Sequence, residues 1–189
     1  MEIKLSDERC EEIKLEVLKL FKTYNIHCVP INGFEIATKM GIRIVLYSSL
    51  DKEELMLFKE LSDDGFNCRK KGQCYIYVND LDYAYNVQNN IMLHEIAHIC
   101  LGHTEDSELA EKEAKFFSKY ALAPPILIYK LKLTSAKEIS NIFNISHQAS
   151  VYALDYFHKW LLFSGKIKPY ENEIAELFNL SIEFEGGDA

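Results

Sequence analysis

The sequence predicts an α+β fold in which a small antiparallel or mixed sheet packs on two neighbouring helices, followed by a further helical region. Three observations predict this fold. Apolar residues recur at helical spacing in several segments, and short runs of alternating β-branched and aromatic residues indicate strands. The third observation is a long apolar helix, at about 83–101, that carries His94, Glu95 and His98. We expect the sheet to pack on this helix and on the helix after it.

The first half of the chain is predicted to alternate helices and strands. Residues 7–24 form an amphipathic helix, because Ile13, Val17 and Phe21 recur at helical spacing while lysines and glutamates fill the other side. The following elements are a short helix within 34–42 that Gly41 closes, a strand at 42–48, a helix at 51–61, and two strands within 64–80 that meet in a tight turn at Lys71-Gly72.

The second half is predicted to be mainly helical. The expected elements are the helix at about 83–101 that Gly102 ends, a helix at about 107–122, a short helix after the prolines at 124–125, and two helices within 135–161 that resemble a helix-turn-helix, the second capped by Ser146. We divide the chain into a domain at 1–133, which contains the helix with His94, Glu95 and His98, and a helical region at 134–189 that packs on it. The final residues, 183–189, are expected to be a frayed tail.

Charge and composition narrow the possible partners and the compartment. The net charge of −8 disfavours binding to a nucleic-acid phosphate backbone. No run of about 18 uncharged apolar residues is present, so no membrane span is expected. Five cysteines without a CxxC pair predict neither a disulfide framework nor a cysteine zinc site, and we expect reduced thiols in the cytoplasm.

The spacing of His94, Glu95 and His98 predicts a metal site on a rigid helix. Residues four apart lie about 40° apart around a helix, so both imidazoles can reach one metal ion. Glu95 lies about 100° from His94, where it suits a general base better than a ligand. The alternative is a pair of core histidines with an ion-paired glutamate. A buried Glu95 without a partner would cost several kcal/mol, and its helix offers no basic partner.

The third ligand must come from outside this helix. His103 follows Gly102 directly, which is the wrong spacing for a third histidine of the HExxHxxGxxH type, and no methionine follows Met92 to form a Met-turn. We interpret His103 either as a polar residue just beyond the helix end or as a rim residue that stabilises the reacting oxyanion.

A carboxylate on the next helix is the better candidate. Glu111 lies on a stripe of small residues that allows close helix packing, and Glu113 points away from that stripe. We therefore choose Glu111, with Glu108 in reserve. Most of the other acidic residues are expected to form a solvated face.

Two motifs resemble those of the ImmA/IrrE family of metallopeptidases. They are "HEIAHICLGH" and "EKEAKFFSKYALAP", and they place the first glutamate of the family's second motif on Glu111 and its proline on Pro124. The similarity extends over the chain to about residue 165. One departure is Lys115, where many relatives carry asparagine.

The resemblance implies a cytoplasmic zinc-dependent endopeptidase similar to gluzincins. It implies one catalytic Zn²⁺ held by His94, His98 and Glu111, with Glu95 as the general base. Members of the family commonly act as anti-repressors that cleave a helix-turn-helix repressor encoded nearby on a phage or mobile element. The resemblance therefore implies a protein substrate of that kind.

Two other functions stay open from the sequence. Residues 135–161 could bind DNA, although Lys159 is nearly the only basic residue of the second helix, whereas DNA readers present several. The protein could also be a metal-dependent sensor or protein-binding module without protease activity. For a protease, the strand at 74–80 could pair with an extended substrate, unless it is central in its sheet.

Overall fold

The computed structural model describes residues 4–163 and 166–180 and confirms the α+β fold. Its elements up to the hairpin are α1 (Asp7–Thr23), α2 (Gly33–Lys39), β1 (Arg43–Leu46), a 3-10 turn (Tyr47–Ser49), α3 (Lys52–Leu61), β2 (Gly65–Lys70) and β3 (Gln73–Val78). The later elements are α4 (Tyr85–Leu101), α5 (Glu108–Leu122), α6 (Pro125–Lys130), α7 (Ala136–Phe143), α8 (His147–Phe163) and α9 (Pro169–Leu177). Helix α9 is not among the sequence predictions, and the tail at 183–189 lies outside the described residues.

Side-chain caps fix the starts of several helices. A side-chain oxygen of the N-cap residue accepts a hydrogen bond from a backbone N–H of the first turn, which satisfies a donor that has no partner inside the helix. These N-caps are Ser6, Asn32, Asp51, Ser107 and Ser135. Ser146 caps α8 as predicted, because its hydroxyl accepts from the N–H of Ala149 at 3.2 Å.

The sheet has three strands in the order β1-β3-β2. β1 runs parallel to β3, and β2 runs antiparallel to it. Lys71 and Gly72 connect β2 to β3 with φ angles of 50° and 83°, which is the left-handed pair that a two-residue hairpin turn requires. The idea that the strand at 74–80 pairs with a substrate is therefore wrong, because β3 is central and both of its edges are occupied.

The apolar face of α4 lies at the centre of the core. Met92, Leu93 and Ile96 are fully buried, and a side chain on Gly33 of α2 would meet Met92 Cγ at 3.0 Å. Buried residues of α7 and α9, such as Phe143 and Ile174, belong to the same cluster. The core is thus continuous across residue 133, and the division of the chain at that residue stays a prediction.

Helices α7 and α8 pack on each other as the sequence predicts. Asn144, with a left-handed φ of 49°, ends α7 and turns the chain into α8. Within the described residues, no helix combines the length and the apolar character that a membrane crossing requires.

Candidate metal centre

The turn between α4 and α5 brings the candidate ligands together. Gly102 ends α4 in the left-handed conformation, with φ of 70°, and the N–H of His103 donates to the carbonyl oxygen of His98 at 3.0 Å. A left-handed residue closed by such bonds is the usual glycine ending of a helix. The chain then enters α5 at Ser107, and α5 packs along α4.

His94, His98 and Glu111 form a group that could hold a metal ion. The two Nε2 atoms lie 3.1 Å apart. Glu111 faces both of them, with Oε2 at 3.3 Å from Nε2 of His94 and Oε1 at 3.2 Å from Nε2 of His98. Ligand atoms around a tetrahedral ion lie about 3.3 to 3.6 Å apart when each bond is about 2.0 to 2.2 Å long. The three side chains therefore fit the spacing of such a site.

The electrostatics of the group favour ligation by neutral imidazoles. Burial lowers the pKa of both His94 and His98, against the opposing attraction of the Glu111 carboxylate. A neutral imidazole has one nitrogen lone pair free for a metal. Glu111 is about half exposed, at 51% of its side-chain surface.

Glu95 is buried beside this group, as expected for a general base. Burial raises the pKa of Glu95 to about 7, and the nearby charge of Glu111 adds to the rise. The side-chain amide of Asn67, on β2, opposes the rise by donating to Oε2 of Glu95 at 2.7 Å. The partner of Glu95 is thus an amide on the sheet. The alternative of an ion-paired core glutamate is not what the structure shows.

The buried carboxyl of Glu95 makes the stability of the metal-free protein dependent on pH. Its folded pKa of about 7 exceeds the value of 4.5 of a glutamate in the unfolded chain, so between these values the folded state binds more protons than the unfolded state. Stability must then fall as the pH rises through this window. We expect Glu95→Gln to stabilise the metal-free protein by about 3 kcal/mol more at pH 8 than at pH 4.5.

Urea unfolding of the metal-free parent and variant at several pH values measures this difference. Glu60→Gln, a substitution at an exposed glutamate of α3, is the control and should show no such trend. A pH-independent difference between the parent and Glu95→Gln would contradict a buried, protonated Glu95.

A cleft of about 520 Å³ opens over the metal group. One side is formed by the edge strand β2, through Gly65, Phe66 and Asn67, and by Leu61 at the end of α3. The other side is formed by α5, where Lys115 and Lys119 follow Glu111. Of the candidate residues, His94, Glu95, His98 and Glu111 all line the cleft. The reserve candidate Glu108 does not; it forms an ion pair with Lys112 at 2.9 Å.

His103 lies behind His98, away from the cleft lining. Nδ1 of His103 is 3.0 Å from Nδ1 of His98, and its Nε2 is 3.0 Å from Oε2 of Glu113. The predicted contact of His103 with a reacting oxyanion stays a prediction, but the structure gives both ring nitrogens other partners.

Glu113 is buried, so the expectation of a solvated face is wrong for this residue. Only 5% of it is exposed, and Arg9 of α1 donates two hydrogen bonds to its carboxylate, from Nε at 2.8 Å and Nη2 at 2.7 Å. The hydrogen bond from Arg9 is the largest cause of the lowered pKa of Glu113. The orientation of Glu113 away from Glu111 was predicted, but its partner lies 104 positions away in the sequence.

Comparison of the chain with protein-family models and with curated proteins finds no match. The likeness to the ImmA/IrrE family therefore depends on the two quoted motifs.

Proposed function

We propose that the protein is a zinc-dependent endopeptidase of the ImmA/IrrE type. The observation that carries this proposal is the position of Glu95 beside His94, His98 and Glu111 in one open cleft. Two imidazoles and one carboxylate are the ligand set of many catalytic zinc sites, which keep a further position open. A purely structural zinc site would use four protein ligands and would need no cleft.

The side chains divide the work of peptide hydrolysis between them. Zinc, when bound, supplies Lewis-acid polarisation of the carbonyl and makes water more acidic. His94, His98 and Glu111 hold the ion. Glu95 removes the proton of the attacking water and returns it to the leaving amine, a task that suits a carboxyl with a pKa near neutrality. Asn67 engages Oε2 of Glu95 and so fixes the direction in which the carboxylate faces.

An extended peptide would lie along β2. Among the residues that the structure describes, this strand pairs with β3 on one side only, so its other edge can form main-chain hydrogen bonds with a further strand. Gly65, Phe66 and Asn67 of β2 line the cleft beside Glu95. Pairing at this edge would therefore present a peptide carbonyl to the metal group.

The same family likeness supports the choice of substrate and compartment. We propose that the substrate is a helix-turn-helix repressor encoded nearby and that the protein acts in the cytoplasm as an anti-repressor. All five cysteines are free thiols in the structure, which suits a reducing compartment.

The test is to incubate the zinc-loaded protein with the repressor encoded next to it and to identify fragments by mass spectrometry. We expect cleavage at one or a few sites, and we expect EDTA to abolish it. Cleavage that persists in EDTA would contradict the metal mechanism. Zinc binding without cleavage of the repressor, or of a peptide library, would favour the sensor alternative.

A further inference from the structure

A hydrogen-bonded chain connects the metal group to the N-terminal helix. It runs from Nδ1 of His98 to Nδ1 of His103 at 3.0 Å, and from Nε2 of His103 to Oε2 of Glu113 at 3.0 Å. It ends at Arg9, which holds both carboxylate oxygens of Glu113. Three elements thus contribute to it: the turn after α4, α5 and α1. Catalysis as proposed above uses none of the three residues beyond His98.

The middle of this hydrogen-bonded chain is largely shielded from water. The side chains of His103 and Glu113 are only 12% and 7% exposed. Neither residue lines the cleft, so neither is in a position to contact a substrate there. A buried carboxylate costs free energy unless it is paired and hydrogen-bonded, and Arg9 and His103 together supply both. The arrangement therefore calls for a role other than substrate contact.

When both imidazoles are neutral, the bonds have one consistent direction. A carboxylate paired with arginine only accepts hydrogen bonds, so Nε2 of His103 must donate to Glu113. A neutral imidazole carries a single proton, so Nδ1 of His103 is then an acceptor, and Nδ1 of His98 must donate to it. The remaining nitrogen of His98, Nε2, keeps its lone pair. This is the atom that faces His94 at 3.1 Å and Glu111 at 3.2 Å.

We infer that His103 and Glu113 are positioning residues of the metal centre, which hold His98 in the tautomer and ring orientation that present its Nε2 lone pair to the ion. The inference rests on the metal site of the proposed function but does not require peptidase activity. Metal-bound histidines commonly donate their other nitrogen to a carboxylate or carbonyl. Here a second histidine stands between the ligand and the carboxylate.

This role also accounts for the position of Gly102. The left-handed turn at this glycine places His103 two residues beyond the last residue of α4 and folds it back towards His98. A side chain at position 102 would be strained at a φ of 70°. Gly102 and His103 thus hold His98 through its Nδ1, while its Nε2 faces the metal group.

Zinc affinity, measured by competition with a chromophoric chelator, is the first test. We expect Glu113→Leu and His103→Phe each to weaken zinc binding about 10- to 100-fold, the usual loss when such a partner is removed. Glu113→Gln keeps an acceptor oxygen, so this variant should retain most of the zinc affinity of the parent. Glu12→Leu is the matched control, because Glu12 also binds Arg9, at 2.7 Å, but is exposed and does not contact His103. Its zinc affinity should equal that of the parent.

The second test needs no substitution and no metal. The ¹⁵N-histidine NMR spectrum of the metal-free parent should show the proton of His98 on Nδ1 and that of His103 on Nε2. The opposite tautomer of His103, or unchanged zinc affinity in a folded Glu113→Leu variant, would overturn the inference. This spectrum requires neither zinc nor hydrolysis. The inference can therefore fail while the peptidase proposal stands, and the peptidase proposal can fail while the inference stands.

Discussion

Glu95→Gln is expected to abolish peptide cleavage while zinc binding is kept. A glutamine has nearly the same shape and can still accept from Asn67, but it cannot take a proton from water. Removing a general base typically lowers kcat by about 10²- to 10⁴-fold. The measurement is kcat on the cleaved substrate, with the zinc content of the same preparation determined in parallel.

A matched control is Glu54→Gln, which makes the same chemical change at an exposed position of α3. Its kcat and zinc content should equal those of the parent. If Glu95→Gln cleaved the substrate at the parental rate, Glu95 would not be the base. If it lost zinc as well as activity, Glu95 would act in holding the ion.

The placement of the candidate ligands was predictable because it follows from local periodicity. The four-residue spacing of His94 and His98 fixes their common direction on any helix, and α4 extends through both. The choice of Glu111 followed from the small-residue stripe on α5 and from the motif, and the structure brings Glu111 within 3.3 Å of both imidazoles. Local caps and turns, such as Gly102 and Lys71-Gly72, could also be predicted, because their signals lie within a few neighbouring residues of the sequence.

The partners of these residues were not predictable, because they come from distant segments. Asn67 reaches Glu95 from β2, and Arg9 reaches Glu113 from α1, so no periodicity within one helix signals either contact. The strand order is a similar case. The alternation of β3 shows that it is a strand, but only its pairing with β1, which is far away in sequence, makes it central.

A comparison of Glu111→Ala with Glu108→Ala gives the sharpest test of the ligand set. Both glutamates lie in the first turn of α5, so the two substitutions remove the same charge from the same end of one helix. Their effects on the helix itself should be alike, about 0.3 to 1 kcal/mol through the helix dipole. Only Glu111 contacts the two imidazoles, whereas Glu108 pairs with Lys112 on the surface.

We therefore expect Glu111→Ala to weaken zinc binding by more than about 100-fold, beyond the loss that follows removal of an outer hydrogen-bond partner. Glu108→Ala should bind zinc as the parent does and should cleave the same substrate. Chelator competition and kcat on the cleaved repressor measure the two effects. Equal zinc affinity in the two variants would show that the oxygen ligand comes from elsewhere, because the change in helix charge is the same in both.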